Sequence, residues 1–138
     1  MEKTFLLEIV TPYGLVVNSK VEEDYIPGSE GDFGVLPGHA PFLTSLRIGE
    51  LHYRRGIEVH FLALNRGFAE VTPTRTTILA DTTEPAEEID IGRAESAKAR
   101  AEERLKSLSK YDPAYQQEIE ALERAKVRMR VAEKAPRE

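Results

Sequence analysis

The 138-residue chain contains no cysteine, so neither a disulfide frame nor a thiolate zinc site can hold it together. That fits a reducing compartment. No apolar run approaches the roughly 18 residues that a membrane-spanning helix requires, so any membrane association has to come through partners. Basic side chains are outnumbered, 19 Lys and Arg against 24 Asp and Glu, and the net charge of −5 removes bulk attraction to nucleic acid. Chemical machinery is equally sparse. No Ser, Cys or Lys stands in a nucleophile motif, and no Walker or Rossmann glycine pattern occurs. His52 and His60 lack ligand-like spacing to a third group, so no metal site is expected. Residues 1–10 carry a single Lys and are interrupted by Glu8, matching neither a secretory signal nor a transit peptide. The chain is expected to start directly in structure, as a cytoplasmic or organelle-encoded product.

What is present suffices for one core, or a modest core plus an appendage: 41% of residues are hydrophobic and 31% charged. Two periods divide the chain. Over residues 4–81 the apolar residues alternate. Phe5, Leu7 and Ile9 form one set, Ile57, Val59, Phe61 and Ala63 another, and Thr74 to Ala80 is a β-branched run. Turn signals recur at Pro12-Tyr13-Gly14, Pro27-Gly28-Ser29, Arg55-Gly56, Asn65-Arg66-Gly67 and Thr72-Pro73, at hairpin spacing. Many short strands without an intervening helix predict an antiparallel β-sandwich or flattened barrel.

From residue 86 the period becomes helical. Ile91, Ala94, Ala97, Ala101, Leu105 and Leu108 make one narrow, Ala-rich stripe, and Tyr115, Ile119, Leu122, Ala125, Met129 and Ala132 make a second. Asp112-Pro113 restarts the pattern as an N-cap with Pro at the first helical position. The expected architecture is mainly β plus α, with a β domain over residues 1–84 and an αα-hairpin over 85–138. Ala side chains bury little area, at roughly 25 cal/mol per Å², so the helix seam is weak and can exchange partners.

Three clusters carry candidate chemistry. Gly31-Asp32-Phe33-Gly34-Val35-Leu36-Pro37-Gly38-His39-Ala40-Pro41 reads as a short strand entering a rigid exposed loop. Its His39, with Glu30 and Asp32 nearby, is read as an interface residue rather than a catalyst. Ile89-Asp90-Ile91-Gly92-Arg93-Ala94 opens the first helix. Asp90 can cap it, and Gly92 costs it about 1 kcal/mol relative to Ala. On the second helix Arg124 and Arg128 share a face, as do Arg130 and Lys134, and residues 121–138 hold six Lys or Arg against three Glu. Such a surface can simply be solvated, or it can hold a phosphate chain or an acidic partner.

The string Gly34-x-Leu36-Pro37-Gly38-His39-x-Pro41 resembles the signature of the epsilon subunit of F-type ATP synthases. The resemblance extends through Gly67-Phe68-Ala69-Glu70-Val71, Thr77-Ile78-Leu79-Ala80 and Val131-Ala132-Glu133, over essentially the whole chain. It implies a non-catalytic rotor subunit peripheral to the cytoplasmic face of the bacterial inner membrane, in a complex that couples proton transport to ATP synthesis. Its β-sandwich is expected to meet the gamma subunit and the c-ring, with Glu30, Asp32 and His39 at that interface. Its helices are expected to lie folded on the sandwich or to extend along gamma and brake ATP hydrolysis. Lys126, Arg130 and Lys134 would then contact the alpha and beta subunits of the catalytic head. No cofactor is required. The family's nucleotide motif, Ile/Leu-Asp-x-x-Arg-Ala, stands here as Ile89-Asp90-x-x-Arg93-Ala94, with Glu84, Arg124 and Arg128 matching the rest of the site, so ATP is expected as a regulatory ligand. A freestanding ATP sensor is the alternative reading, and a small enzyme centred on His39 a third.

Overall fold

The computed structural model describes residues 3–136, which divide after Pro85 into two compact units. The first unit is built from eight strands. They are β1 (Phe5–Thr11), β2 (Gly14–Val21), β3 (Glu23–Ile26), β4 (Phe33–Val35), β5 (Phe42–Leu46), β6 (Gly49–Arg55), β7 (Glu58–Thr72) and β8 (Arg75–Pro85). Hydrogen bonding runs in the order β2-β1-β8-β7-β6-β3-β4, with β5 added along β7. All pairs are antiparallel except β1 with β8. The strands fold into a β-sandwich whose core gathers Leu7, Ile9, Ile26, Val35, Leu51, Leu62, Leu64, Val71 and Ile78. Strict alternation creates it. Phe5, Leu7 and Ile9 bury one face of β1, while Leu6, Glu8 and Val10 stay partly exposed on the other.

Two details depart from the sequence reading. Asn65-Arg66-Gly67 is no hairpin turn but a bend inside the 15-residue β7. There β7 exchanges neighbours, pairing β6 over residues 58–64 and β5 over 67–71. Arg66 and Gly67 take positive φ (52° and 154°), and a Cβ at Gly67 would lie 2.0 Å from the Leu79 carbonyl oxygen. The glycine marks a close backbone crossing rather than a chain reversal. The second departure lies in the first half of β7. Ile57 is fully exposed in the turn before it, Val59 is exposed, and Leu62, Ala63 and Leu64 are the buried residues. Of the expected set, Ala63 is buried and Phe61 partly so, while Ile57 lies just before the strand and Val59 at its exposed start.

The second unit holds a 3-10 turn (Ala86–Glu88), α1 (Ile91–Ser107) and α2 (Pro113–Ala132). Asp90 caps α1, accepting from the Arg93 amide at 3.1 Å, and Asp112 caps α2, accepting from the Ala114 amide at 2.8 Å. Both caps are those expected from the sequence. The stripes are narrower than expected. On α1 only Ala94 and Ala101 are buried, and Ile91 is exposed. On α2 Ala125 and Ala132 are joined by Val127 and Val131, which lie off the expected line.

Candidate functional site

In the second unit Arg104 Nη1 on α1 lies 3.1 Å from Glu118 Oε1 on α2. The connection between the helices is short, so they run antiparallel. At 1.5 Å rise per residue on each, this pair sets Arg93 level with about residue 129 of α2. Arg124 and Arg128 therefore fall within roughly 8 Å of Arg93 along the hairpin axis. Both are half-buried, whereas Arg93 is exposed. Arg93, Arg124 and Arg128 thus stand at neighbouring levels of the helix pair, and each can offer a planar donor fork to phosphate oxygens. Asp90 Oδ1 accepts from the Arg93 amide and so caps the turn that carries Arg93. Gly92 leaves that turn soft. A Cβ there would meet nothing closer than Asp90 Oδ1 at 3.5 Å. Glu84 belongs to the other unit, on β8 opposite Ala63 of β7. Lys126 and Arg130 are exposed on α2. Lys134 lies beyond the helix end, its amide donating to the Val131 carbonyl at 2.9 Å, so it does not continue the Arg130 face as a helical neighbour.

The loop cluster divides in two. Glu30 and Asp32 precede β4, and His39 follows it. Asp32 is ion-paired with Arg47 from the β5–β6 connection, and the Arg47 amide donates to the Pro27 carbonyl at 3.0 Å. At the other end of β4, Gly38 has φ +82° and its amide donates to the Pro73 carbonyl at 2.8 Å, tying the loop to the β7–β8 turn. His39 Nδ1 approaches the carbonyl oxygen of Ala40 at 2.6 Å. Its ring is held by local backbone, without a nucleophile beside it. Arg47 and Pro73 were not singled out from sequence, because nothing in their local pattern ties them to residues fifteen and thirty-five positions away.

The sequence reading also missed an exposed apolar row. Leu15, Val10, Leu79 and Phe68 stand in cross-strand register over β2, β1, β8 and β7. Leu15, Leu79 and Phe68 are exposed, and a groove of about 370 Å³ runs beside them, lined also by Thr11 and Pro12. Its signal was present as apolar residues on both faces of β1 and β8. A continuous apolar row on an outer sheet face is the usual mark of a protein–protein surface. Among the described residues no group of three His, Cys, Asp or Glu could hold a metal ion, and no helix is long and apolar enough to cross a membrane.

A sandwich with an apolar outer row, followed by a two-helix unit bearing arginines on both helices, has the features of a binding protein. Comparison with known proteins agrees. Residues 4–86 match the family model for the ATP synthase delta/epsilon chain β-sandwich domain, and residues 87–133 match that for its long α-helix domain. The chain is 51% identical over 138 residues to the ATP synthase epsilon chain of Geotalea uraniireducens and 47% identical over 137 residues to that of Geobacter metallireducens, covering 99% of each chain in both cases. It also resembles a chain in the Euglena gracilis mitochondrial ATP synthase OSCP/F1/c-ring structure, with TM-score 0.79 and 26% identity over 91% of this chain and 79% of that one. A chain of the Tetrahymena thermophila mitochondrial central stalk and c-ring shares the fold, with TM-score 0.61, 14% identity, and 95% and 97% coverage. The chain belongs to the delta/epsilon chain family of ATP synthases, as a non-catalytic stalk subunit.

Proposed function

We propose that this chain couples the catalytic head of a proton-translocating F-type ATP synthase to its c-ring, and that its helical hairpin brakes ATP hydrolysis. The apolar row of Leu15, Val10, Leu79 and Phe68 supports a broad contact with a gamma-type partner. Glu30, Asp32 and His39, at the two ends of β4, would reach the rotor, Asp32 through the rigid loop that Arg47 braces. On this reading the subunit is peripheral, on the cytoplasmic face of the inner membrane.

The observation that carries regulation is the hairpin's register. The buried side chains of the two helices are Ala94, Ala101, Ala125 and Ala132 with Val127 and Val131, mostly small, so modest apolar area opposes opening. Arg93 on α1 stands within roughly 8 Å of Arg124 and Arg128 along the hairpin axis, so a nucleotide triphosphate held by all three would favour the closed pair over the open one. When ATP is scarce the pair opens and extends, which would carry the exposed Lys126, Arg130 and Lys134 on and after α2 to acidic surface of the alpha and beta subunits. ATP acts as a regulatory ligand, and the chain itself performs no chemistry.

The test compares ATP hydrolysis at low ATP by complexes carrying either the full chain or one ending at Pro85. Faster hydrolysis by the truncated complex, with proton-coupled synthesis retained, is the expected result. Equal rates would show that the hairpin is no brake. Failure of the chain to co-purify with the complex would favour the freestanding sensor.

A further inference from the structure

Asp24 is fully buried in the sandwich core, at 0% exposure. It stands on β3 beside Val35 of β4 and Tyr53 of β6, its cross-strand partners, and the Thr76 hydroxyl faces it from β8. No hydrogen bond of good geometry reaches either carboxyl oxygen among the described residues. The flanking carboxylates Glu22 and Glu23 are paired with Arg54. Burial is therefore the dominant influence and pushes its carboxyl up to about 7. The Thr76 hydroxyl pulls the other way, and no neighbouring charge is among the causes. A neutral acid can rest in this place, whereas a carboxylate there bears an uncompensated desolvation cost.

The position of Asp24 makes that cost local. β3 and β4 are the last two strands in the sheet order, four and three residues long. Ile26 and Val35 anchor the pair in the core, but the β2-β1-β8-β7-β6 pairings do not run through it, and short elements at the end of a sheet open at lower free energy than the whole fold. The same hairpin carries Glu30 and Asp32 in its turn and runs directly on to His39. A pocket of about 200 Å³ lined by Glu23, Asp24, Tyr25, Gly34, Val35 and Leu36 brings solvent close to its backbone.

We propose that Asp24 is a proton-operated latch on the β3–β4 hairpin, docking it when the carboxyl is protonated and loosening it, with the loops at both its ends, when the carboxyl ionises. The sign follows from linkage. The docked carboxyl binds its proton more tightly than the solvated one. Its stabilising contribution is complete below the ordinary Asp range and is lost as pH rises from there through about 7. Near-neutral pH changes would then alter the order of the β4 loops without any partner bound.

The test uses the full chain in solution. Asp24 should titrate near pH 7 by side-chain carboxyl NMR, and a midpoint in the ordinary range, below about pH 5, would overturn the latch. Amide exchange supplies the second arm. After correction for intrinsic rates, protection at residues 24–26 and 33–35 should fall about tenfold between pH 6 and pH 8. It should stay flat in Asp24→Asn, while β1 and β8 hold their protection in both. An equal fall in β1 and β8, or the same fall in the variant, would refute a local latch. Should Asp24→Asn fail to fold, Asp24→Thr removes the titration at similar volume and is expected to give the same flat profile.

Discussion

Arg104 Nη1 on α1 and Glu118 Oε1 on α2 lie 3.1 Å apart across the hairpin, a charged contact that marks the register of the two helices. Arg104 is exposed, so solvent screens the pair and its removal should matter little. Arg104→Ala is expected to lower the stability of the helical unit by no more than about 1 kcal/mol. Ala101 is buried in the seam. Ala101→Leu overfills it and is expected to cost roughly 1–3 kcal/mol. Denaturation followed by helical circular dichroism will rank the two. The opposite ranking would mean that charge, not packing, holds the hairpin closed.

Gly67 is the residue on which the bend of β7 depends. Added there, a Cβ would stand 2.0 Å from the Leu79 carbonyl oxygen and 2.9 Å from the Ala80 Cα, both backbone atoms that cannot swing aside. Gly67→Ala should destabilise the sandwich by at least about 2 kcal/mol. Gly92→Ala, with open space around its Cβ, should instead stabilise α1 by up to about 1 kcal/mol. Urea midpoints of the two variants against wild type test both statements. A Gly67→Ala midpoint equal to wild type would remove the close crossing as a constraint.

Glu22 accepts from the Gly56 amide at 2.9 Å and pairs with Arg54, and these contacts, the Gly56 hydrogen bond first, hold its carboxyl below the usual Glu range. A lowered folded pKa means that the contribution is present above the ordinary Glu pKa and is lost as pH falls through the folded one. This acid-side loss is opposite in direction to the loss expected at Asp24. In an NMR titration Glu22 should protonate below the ordinary Glu range, and Arg54→Ala should move its midpoint upward. A midpoint unmoved in Arg54→Ala would leave Gly56 as the sole cause.

Much of this was legible because one local rule governed each piece. Alternation gave β1, and the Asp90 and Asp112-Pro113 signals gave the helix starts. The misreadings arose where distant residues decide. Asn65-Arg66-Gly67 has turn chemistry, but pairing with both β5 and β6 turns it into a bend within one strand. The contacts of the β4 loops were equally out of reach: Arg47 pairs with Asp32 before the strand, and the Pro73 carbonyl holds Gly38, the neighbour of His39, after it. Asp24 sits in a Glu-Glu-Asp run that reads as solvated. Only its place two residues before Ile26, on the same face of β3, hints at burial.

Arg93 and Arg124 provide the most direct test of the nucleotide reading. A charge-assisted contact to phosphate is worth roughly 1.5–3 kcal/mol, so Arg93→Ala or Arg124→Ala should weaken ATP binding by the isolated chain by about one to two decades. Because one arginine is on each helix, the two losses have a common structural consequence. ATP should raise the hairpin's thermal midpoint in wild type and raise it less in either variant. Calorimetric titration reads the affinity, and melting with and without ATP reads the linkage to closure. Asp90→Asn, which retains a capping oxygen, should leave affinity near wild type, whereas Asp90→Ala should lower it by loosening the turn that presents Arg93. Unchanged titrations in both arginine variants would return this end of the hairpin to a solvated basic face. Weakened binding without a change in melting would keep the nucleotide site but separate it from closure.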